Sequence, residues 1–475
     1  MSELFIEELP WAAPHEIFHA FAEEPFALFL DSATAAPGRD ERLHGRWSFI
    51  ALDPFATLDA KSASPFADLK SRLAEWTLNP GDADLPPFIG GAAGFFGYDL
   101  ARTLERLPRR ERPFAIVDTN APDLAIGFYD AVLAFDMQTR RARLVSTGLP
   151  ERDPENRKRR AMARAAALRK RYMMAAAENR LAGKPGGMSP ISNFTRDSYE
   201  SAVRRTVEYI RAGDIFQVNI SQRFEAQLGA EDSAYALYLR LRAESPAPFA
   251  SFFNFGAGAL LSSSPERFLL CRNGEIETKP IKGTRPRGRT SAEDAALAEE
   301  LLASEKDRAE NVMIVDLLRN DLSRVCADHS VIVEKLCALE SFANVHHLVS
   351  TLRGKLREGE TNADLLAACF PGGSITGAPK LRAMEIIAEL EPTTRGPYCG
   401  AIGYLGFNGA MDTAIAIRTM LVEDARITFQ AGGGIVADSD PAAEYEETLA
   451  KAGAMIRALG AAGIAGETSR LEETA

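Results

Sequence analysis

The stretch Asp214-Ile-Phe-Gln-Val-Asn-Ile-Ser-Gln-Arg-Phe224 reads as a strand over Ile215–Ile220, because β-branched and aromatic residues crowd it. A helix is expected just upstream, where Thr195 or Asp197 can accept the free N–H groups of a first turn. Downstream, to about Leu459, strand and helix patterns alternate and glycine-rich turns cluster near the end. No repeat of fixed period and no low-complexity tract interrupts them.

Upstream, residues 1–150 read as short segments broken by turns, among them Phe26-Ala-Leu-Phe-Leu30 and Tyr129-Asp-Ala-Val-Leu-Ala-Phe135. Residues 151–194 form a basic, alanine-rich helix, stopped by Ala182-Gly-Lys-Pro-Gly-Gly187, and a linker. A catalytic region is expected over 195–460 and a polar, frayed tail over 461–475. The cluster Arg157-Lys-Arg-Arg160 lies beside Glu151, Asp153 and Glu155, which favours a solvated helix face over a nucleic-acid patch. The chain has 475 residues and a net charge of −11, so no nucleic acid is expected as a partner. Met1–Pro10 carries three acids and no Lys or Arg, and no apolar signal core follows. The least polar stretch, Phe88–Tyr98, is too short to span a bilayer. Five cysteines stand without a CxxC pair, so neither a zinc knuckle nor a disulfide scaffold is expected and a reducing cytoplasm is.

Three patterns can carry chemistry. Asp307 and Glu310 sit three apart on one face of an amphipathic run to Leu318, and Glu444 and Glu447 repeat that spacing with Lys451 one turn on. Carboxylates from two helices suit a hard cation such as magnesium. A solvated face with a Glu447–Lys451 ion pair is the plainer alternative. Two glycine-rich turns come next. In Phe370-Pro-Gly-Gly-Ser-Ile-Thr-Gly-Ala-Pro-Lys380, Thr376 can cap the following helix and present N–H groups to an anion. It is not a nucleotide loop, since Ala378 stands where the lysine is required. The second turn is Gly432-Gly-Gly434, after the strand Arg426–Gln430. Each can equally be a plain tight turn; together they suit a small substrate with two carboxylates, with Arg418 a candidate bidentate partner. The third pattern pairs Glu266 with Lys282 on strand-like segments joined by the hairpin signal Arg272-Asn-Gly274. An acid and an amine can protonate a leaving group and attack carbon, or form a salt bridge. His347 can hydrogen-bond a substrate oxygen or simply pack.

Several of these runs together resemble the chorismate-utilising enzymes. They are Asp214–Phe224, Ser264-Pro-Glu-Arg267, Pro280-Ile-Lys-Gly-Thr284 and Glu310–Asp321, then Pro371–Lys380, Gly400-Ala-Ile-Gly-Tyr404 and Gly432-Gly-Gly-Ile-Val-Ala-Asp438. The likeness covers roughly Thr195 to Leu459. The N-terminal part is similar through Leu30-Asp-Ser32, Trp47-Ser-Phe-Ile50 and Gly90-Gly-Ala-Ala-Gly94. Within that family, isochorismate and salicylate synthases carry a water-activating lysine where this chain has Gln217, which disfavours addition of water. Anthranilate synthases have alanine in Pro-Ile-Ala-Gly-Thr where this chain has Lys282, and lysine there resembles the aminodeoxychorismate synthase branch.

The resemblance implies an α+β fold of two antiparallel sheets stacked face to face and flanked by helices. It implies magnesium on Glu310 and Glu447, with Asp307 and Glu444 serving that metal site from behind these ligands or through water. Gly432, Gly433, Gly434 and Lys451 would receive the ring carboxylate of chorismate. Arg418, Tyr404 and the Thr376–Gly377 turn would hold the enolpyruvyl carboxylate, while His347, Gln217 and Thr284 would also contact the substrate. Glu266 would protonate the C4 hydroxyl while Lys282 attacks C2 and ammonia then enters at C4. The product, 4-amino-4-deoxychorismate, leads to p-aminobenzoate and folate. No Gly-x-Cys-x-Gly turn surrounds any cysteine, so a separate glutamine amidotransferase subunit is expected to supply the ammonia. Asp31 and Ser32 with Pro246, Pro248 and Phe249 resemble the family's tryptophan pocket, which implies a buried tryptophan. The alternatives are an anthranilate synthase large subunit or a non-catalytic regulator that binds chorismate or tryptophan.

Overall fold

The computed structural model describes residues 4–38, 45–59, 64–79, 84–107, 119–177, 187, 189–342 and 345–465. Most of the expected helix stop at 182–187 and most of the tail lie outside these residues. Two large sheets, of 12 and 10 strands, contain only antiparallel pairs among the described strands. This is the expected α+β architecture.

Strand alternation builds the three layers. In Leu28–Asp31, of the first sheet, Leu28 packs in the cluster shared by both sheets while Phe29 packs with the outer helices. In Gly91–Phe96, of the second sheet, Ala93 and Phe95 join that shared cluster while Ala92 and Phe96 face the other way. Each buried aromatic of this size contributes roughly 1.5–3 kcal/mol, which favours packing both faces of each sheet. Outside the first sheet lie the helices Pro154–Ala177, Ala234–Glu244 and Pro441–Ala458. Outside the second lie Pro65–Glu75, Glu305–Ser323 and Asn362–Cys369.

Both sheets draw on both ends of the chain. Ala250 pairs with Asp31 in the first, and Ala401 with Phe96 in the second. The stretches 1–150 and 195–460 are therefore divisions of sequence that the hydrogen-bond ladders cross.

Local expectations fare unevenly. Thr195, not Asp197, caps the helix Arg196–Arg211, with Ser198 completing a reciprocal pair. The following strand spans Gln217–Gln227, longer than expected because Arg426–Ile435 pairs along it. Asn273 and Gly274, both with positive φ, turn Arg267–Arg272 back into Glu275–Thr278 as the hairpin signal predicts. The basic helix is less solvated than its charge suggests. Arg160 and Arg164 reach the fully buried Asp130 carboxylate, and Arg171 pairs with Glu24 and Asp53. Among the described residues no helix is long and apolar enough to cross a membrane, and all five cysteines are free thiols buried in the fold.

Candidate active site

The chain passes between the sheets twice at one place. Ala259–Ser264 belongs to the first sheet and Arg267–Arg272 to the second, so Glu266 stands in the crossing. Met411–Ile415 and Thr419–Glu423 make the return crossing, which contains Arg418 with φ +51°. The crossings are bonded together, Ile415 N donating to Glu266 O at 3.0 Å and Ser263 N to Arg418 O at 3.1 Å. Two backbone bends thus set an acid and a guanidinium on one wall.

The Glu266 carboxylate is buried and accepts from Ser374 Oγ at 2.7 Å. Burial pushes its pKa above the usual range, opposed by the Ser374 hydrogen bond and the ammoniums of Lys282 and Lys451. Lys282 lies on Ile281–Pro286, which pairs with Val345–Lys355. Ile281 opposes Val349 but Thr284 opposes His347, so one extra residue bulges at Lys282–Gly283. Gly283 has φ +87°, and a Cβ there would stand 3.0 Å from Asp307, so glycine is required. The bulge aims Lys282 at the acids. Burial lowers its pKa and Lys451 adds to this, against Glu310, Glu266 and Glu447. Beside it Thr284 Oγ1 and His347 Nδ1 are 2.9 Å apart. Burial is the main reason the imidazole titrates low, at about 4, with Arg418 and His346 contributing.

Ser304 and Asp440 cap the two acidic helices, their side chains accepting from Asp307 N at 3.2 Å and Ala443 N at 2.9 Å. Burial raises the Glu310 pKa, and Asp307 and Glu447 push the same way. For Glu447, burial also raises it, but Lys451, Lys282 and Lys306 outweigh this and the net shift is downward. The Glu447–Lys451 ion pair at 2.5 Å exists, and Lys451 Nζ also donates to Gly432 O at 2.9 Å. Glu444 Oε1 accepts from Ser439 Oγ at 2.6 Å, while the buried Oε2 has no hydrogen-bond partner. Asp307 is engaged by Arg285 at 3.3 Å.

Among the described residues no group of three or more His, Cys, Asp or Glu side chains is arranged to hold a metal ion by itself. The donor chemistry nevertheless fits a hard divalent ion. Glu444 Oε2 lacks a donor, Glu447 Oε1 shares the space over Gly433, and such ions keep water and substrate oxygens among their ligands.

Three expectations about backbone and position are corrected. Gly432–Gly434 is not a turn but the last part of the strand Arg426–Ile435, pairing with Ser221, Ile220 and Asn219. Bare glycines in that strand let the Glu444 carboxylate and the Gln217 amide lie against it, the latter with its own Oε1 unpartnered. Thr376 is not a helix cap. Its hydroxyl donates to Gly372 O at 3.0 Å within the turn, and the helix Lys380–Leu390 starts after Pro379. Gly377 is needed because a Cβ would meet Gln217 O at 2.2 Å. Tyr404 is not with Lys282. Alternation along Ala401–Gly406 sends it between the sheets, stacked on Phe88 at 4.5 Å. The tyrosine that faces Arg418 is Tyr398, unmarked in the sequence by any helix or strand period. Arg418 itself donates to Lys451 O at 2.8 Å. Sequence reasoning also missed Ser374, whose role depends on the fold of its turn, and Lys306, which faces Glu310, Glu444 and Glu447.

The second expected site is a cavity of about 210 Å³ between the sheets, lined by Asp31, Ser32, Pro248, Phe249 and Tyr404 among others. Pro246 is exposed outside it, because the turn before Phe249 points it to solvent. The buried Asp31 carboxylate accepts from the half-buried Arg242 at 2.6 Å and from Tyr238 at 3.0 Å, so its first task is to pair with that guanidinium.

A family model described as chorismate binding enzyme matches residues 30–457. Aminodeoxychorismate synthase component 1 of Klebsiella aerogenes is 41% identical, over 95% of this chain and 98% of its own length. Anthranilate synthase component 1 of Thermus thermophilus is 44% identical, over 93% of this chain and 96% of its own. The crystal structure of anthranilate synthase component I from Streptococcus pneumoniae superposes with a TM-score of 0.74 at 34% identity, covering 86% of this chain and 92% of that one.

Proposed function

This chain belongs to the chorismate binding enzyme family, and from that premise we propose that it makes 4-amino-4-deoxychorismate from chorismate and ammonia. The observation that carries the reading is Lys282, a partly desolvated amine aimed by a bulge into the cleft that also holds Glu266. Relatives named anthranilate synthase component 1 are as similar overall, so overall identity does not decide between the amines. The amine at position 282 is what supports the para-amine reading.

In the reaction, the Glu266 carboxyl gives its proton to the C4 hydroxyl, which leaves as water. Lys282 Nζ forms a bond to C2 as both ring double bonds shift around the ring toward C4, then loses a proton. Ammonia bonds to C4, both double bonds shift back, and the C2–N bond of the reprotonated adduct breaks with its electron pair passing to the lysine nitrogen. Arg418 and Tyr398 are suited to the enolpyruvyl carboxylate, and Lys451 with the Gly432–Gly434 strand to the ring carboxylate. Glu310 and Glu447 would hold magnesium, with Glu444 and Asp307 beside it; the ion supplies positive charge for the ring carboxylate. Neutral His347 and the Gln217 amide offer hydrogen bonds without charge. Ammonia would come from a separate glutamine amidotransferase subunit, and the product would feed p-aminobenzoate and folate synthesis. A cytoplasmic enzyme with a buried tryptophan between its sheets completes the reading.

The test is to incubate the chain with chorismate, ammonium and magnesium and identify the amine by mass and chromatography. 4-Amino-4-deoxychorismate is expected; anthranilate as the main product would transfer the chain to the other branch.

A further inference from the structure

Glu391 and Arg395 form an ion pair whose side chains are 3% and 1% exposed. A pair so deeply buried is a poor source of stability, which directs attention to what it holds. Arg395 Nη1 donates to Ile375 O at 3.0 Å and Nη2 to Asn219 O at 2.8 Å. Asn219 in turn donates through Nδ2 to Ser374 O at 2.9 Å and through its backbone N to Thr376 O at 2.8 Å. Three consecutive carbonyls, 374 to 376, are therefore fixed by one strand residue and one guanidinium. Glu391 Oε1 accepts from both the N and Oγ of Ser221 at 2.9 Å, tying the pair to the same strand. With the turn's carbonyls fixed, the Ser374 hydroxyl is left to Glu266.

We propose that Arg395, held by Glu391, is a positioning residue for the proton donor: it locks the Gly373–Thr376 turn so that Ser374 stays hydrogen-bonded to Glu266. The proposal deepens the functional reading and rests on Glu266 being the acid. Donation from Ser374 favours the ionised carboxylate, so a loosened turn makes Glu266 hold its proton to higher pH. The other groups that face Glu266 are the ammoniums of Lys282 and Lys451 and the Cys399 thiol, none of which bonds to Arg395 in this arrangement.

The experiment is an infrared titration of the Glu266 carboxyl in the resting protein, isolated as the difference from Glu266→Gln. Ser374→Ala should raise its midpoint by about one pH unit, the size of one lost hydrogen bond to a carboxylate. Arg395→Lys should move it the same way, and the double variant should move it no further than Ser374→Ala alone. If Arg395→Lys does not fold, Glu391→Gln, which keeps the shape and removes the charge, should show the same upward move. A variant with a lowered melting temperature but the parental Glu266 midpoint would reduce the pair to a structural role and overturn the proposal. The titration uses no substrate, so it stands whether or not chorismate is converted. A chain with the expected shifts but no chorismate turnover would sink the functional reading and leave only the positioning of the Glu266 carboxyl by Arg395.

Discussion

Glu444 Oε2 lies over the bare Cα of Gly433, 2.9 Å from where a Cβ would stand, with Glu447 Oε1 at 3.4 Å from the same point. Gly433→Ala should therefore push both carboxylates off the strand. The concentration of magnesium needed for half-maximal turnover should rise by about tenfold or more, the usual cost of disturbing the groups around a metal ligand. Folding should be little affected, since the glycine's backbone is extended and not in the left-handed region. Metal titrations of activity with parallel melting curves check both parts.

Glu310→Gln and Glu447→Gln should each abolish magnesium-dependent turnover, but their stabilities should move in opposite directions. Burial and like charges disfavour ionised Glu310, so its removal should raise the melting temperature of the metal-free protein. Glu447 is favoured as the anion by Lys451, so losing it should lower that temperature slightly, because the pair is half exposed. Near-normal turnover by either variant would remove it from the ion's ligands.

How much of this could be read from the chain varies with the kind of signal. The paired acids at 307 and 310, and at 444 and 447, were legible because helical spacing puts them on one face. The Asn273-Gly274 hairpin was legible because two positive φ angles have few other sequences. Gly432–Gly434 misled, since three glycines signal a turn and nothing local reveals that a neighbouring carboxylate needs the space. Tyr404 misled because a motif resemblance does not say which face of the sheet a residue takes, and alternation sends it inward. Ser374 and Arg395 were invisible for a related reason: each matters through a contact made more than a hundred residues away.

His347 titrates at about 4 in the folded chain, against 6.5 for an unburdened imidazole. A histidine whose folded pKa is depressed contributes no penalty above about pH 6.5, where both states are neutral. Below that the unfolded state takes up the proton first, so stability falls as pH drops toward about 4, by at most on the order of 3 kcal/mol. His347→Gln should flatten this fall. Urea midpoints near pH 7 and near pH 5 measure it, and equal slopes for parent and variant would refute the assignment.

Asp31 neutralises Arg242 and accepts from Tyr238 at the back of the inter-sheet cavity. Asp31→Ala should cost on the order of 1–3 kcal/mol by leaving the half-buried Arg242 guanidinium without its carboxylate partner. A tryptophan held in that cavity should be released from the parent protein by denaturation and detected by chromatography. Its absence, with no heat of binding on adding tryptophan, would leave the cavity a structural remnant.

Lys282 as a nucleophile is tested by the intact mass of the chain after incubation with chorismate and magnesium in the absence of ammonia. An added mass equal to chorismate less water is expected, mapped to the peptide containing Pro280–Thr284, absent in Lys282→Ala and diminished in Glu266→Gln. Lys282→Ala should also lose para-amine formation by orders of magnitude. No adduct on the parent chain, together with a Lys282→Ala variant that makes 4-amino-4-deoxychorismate at the parental rate, would contradict a nucleophilic Lys282.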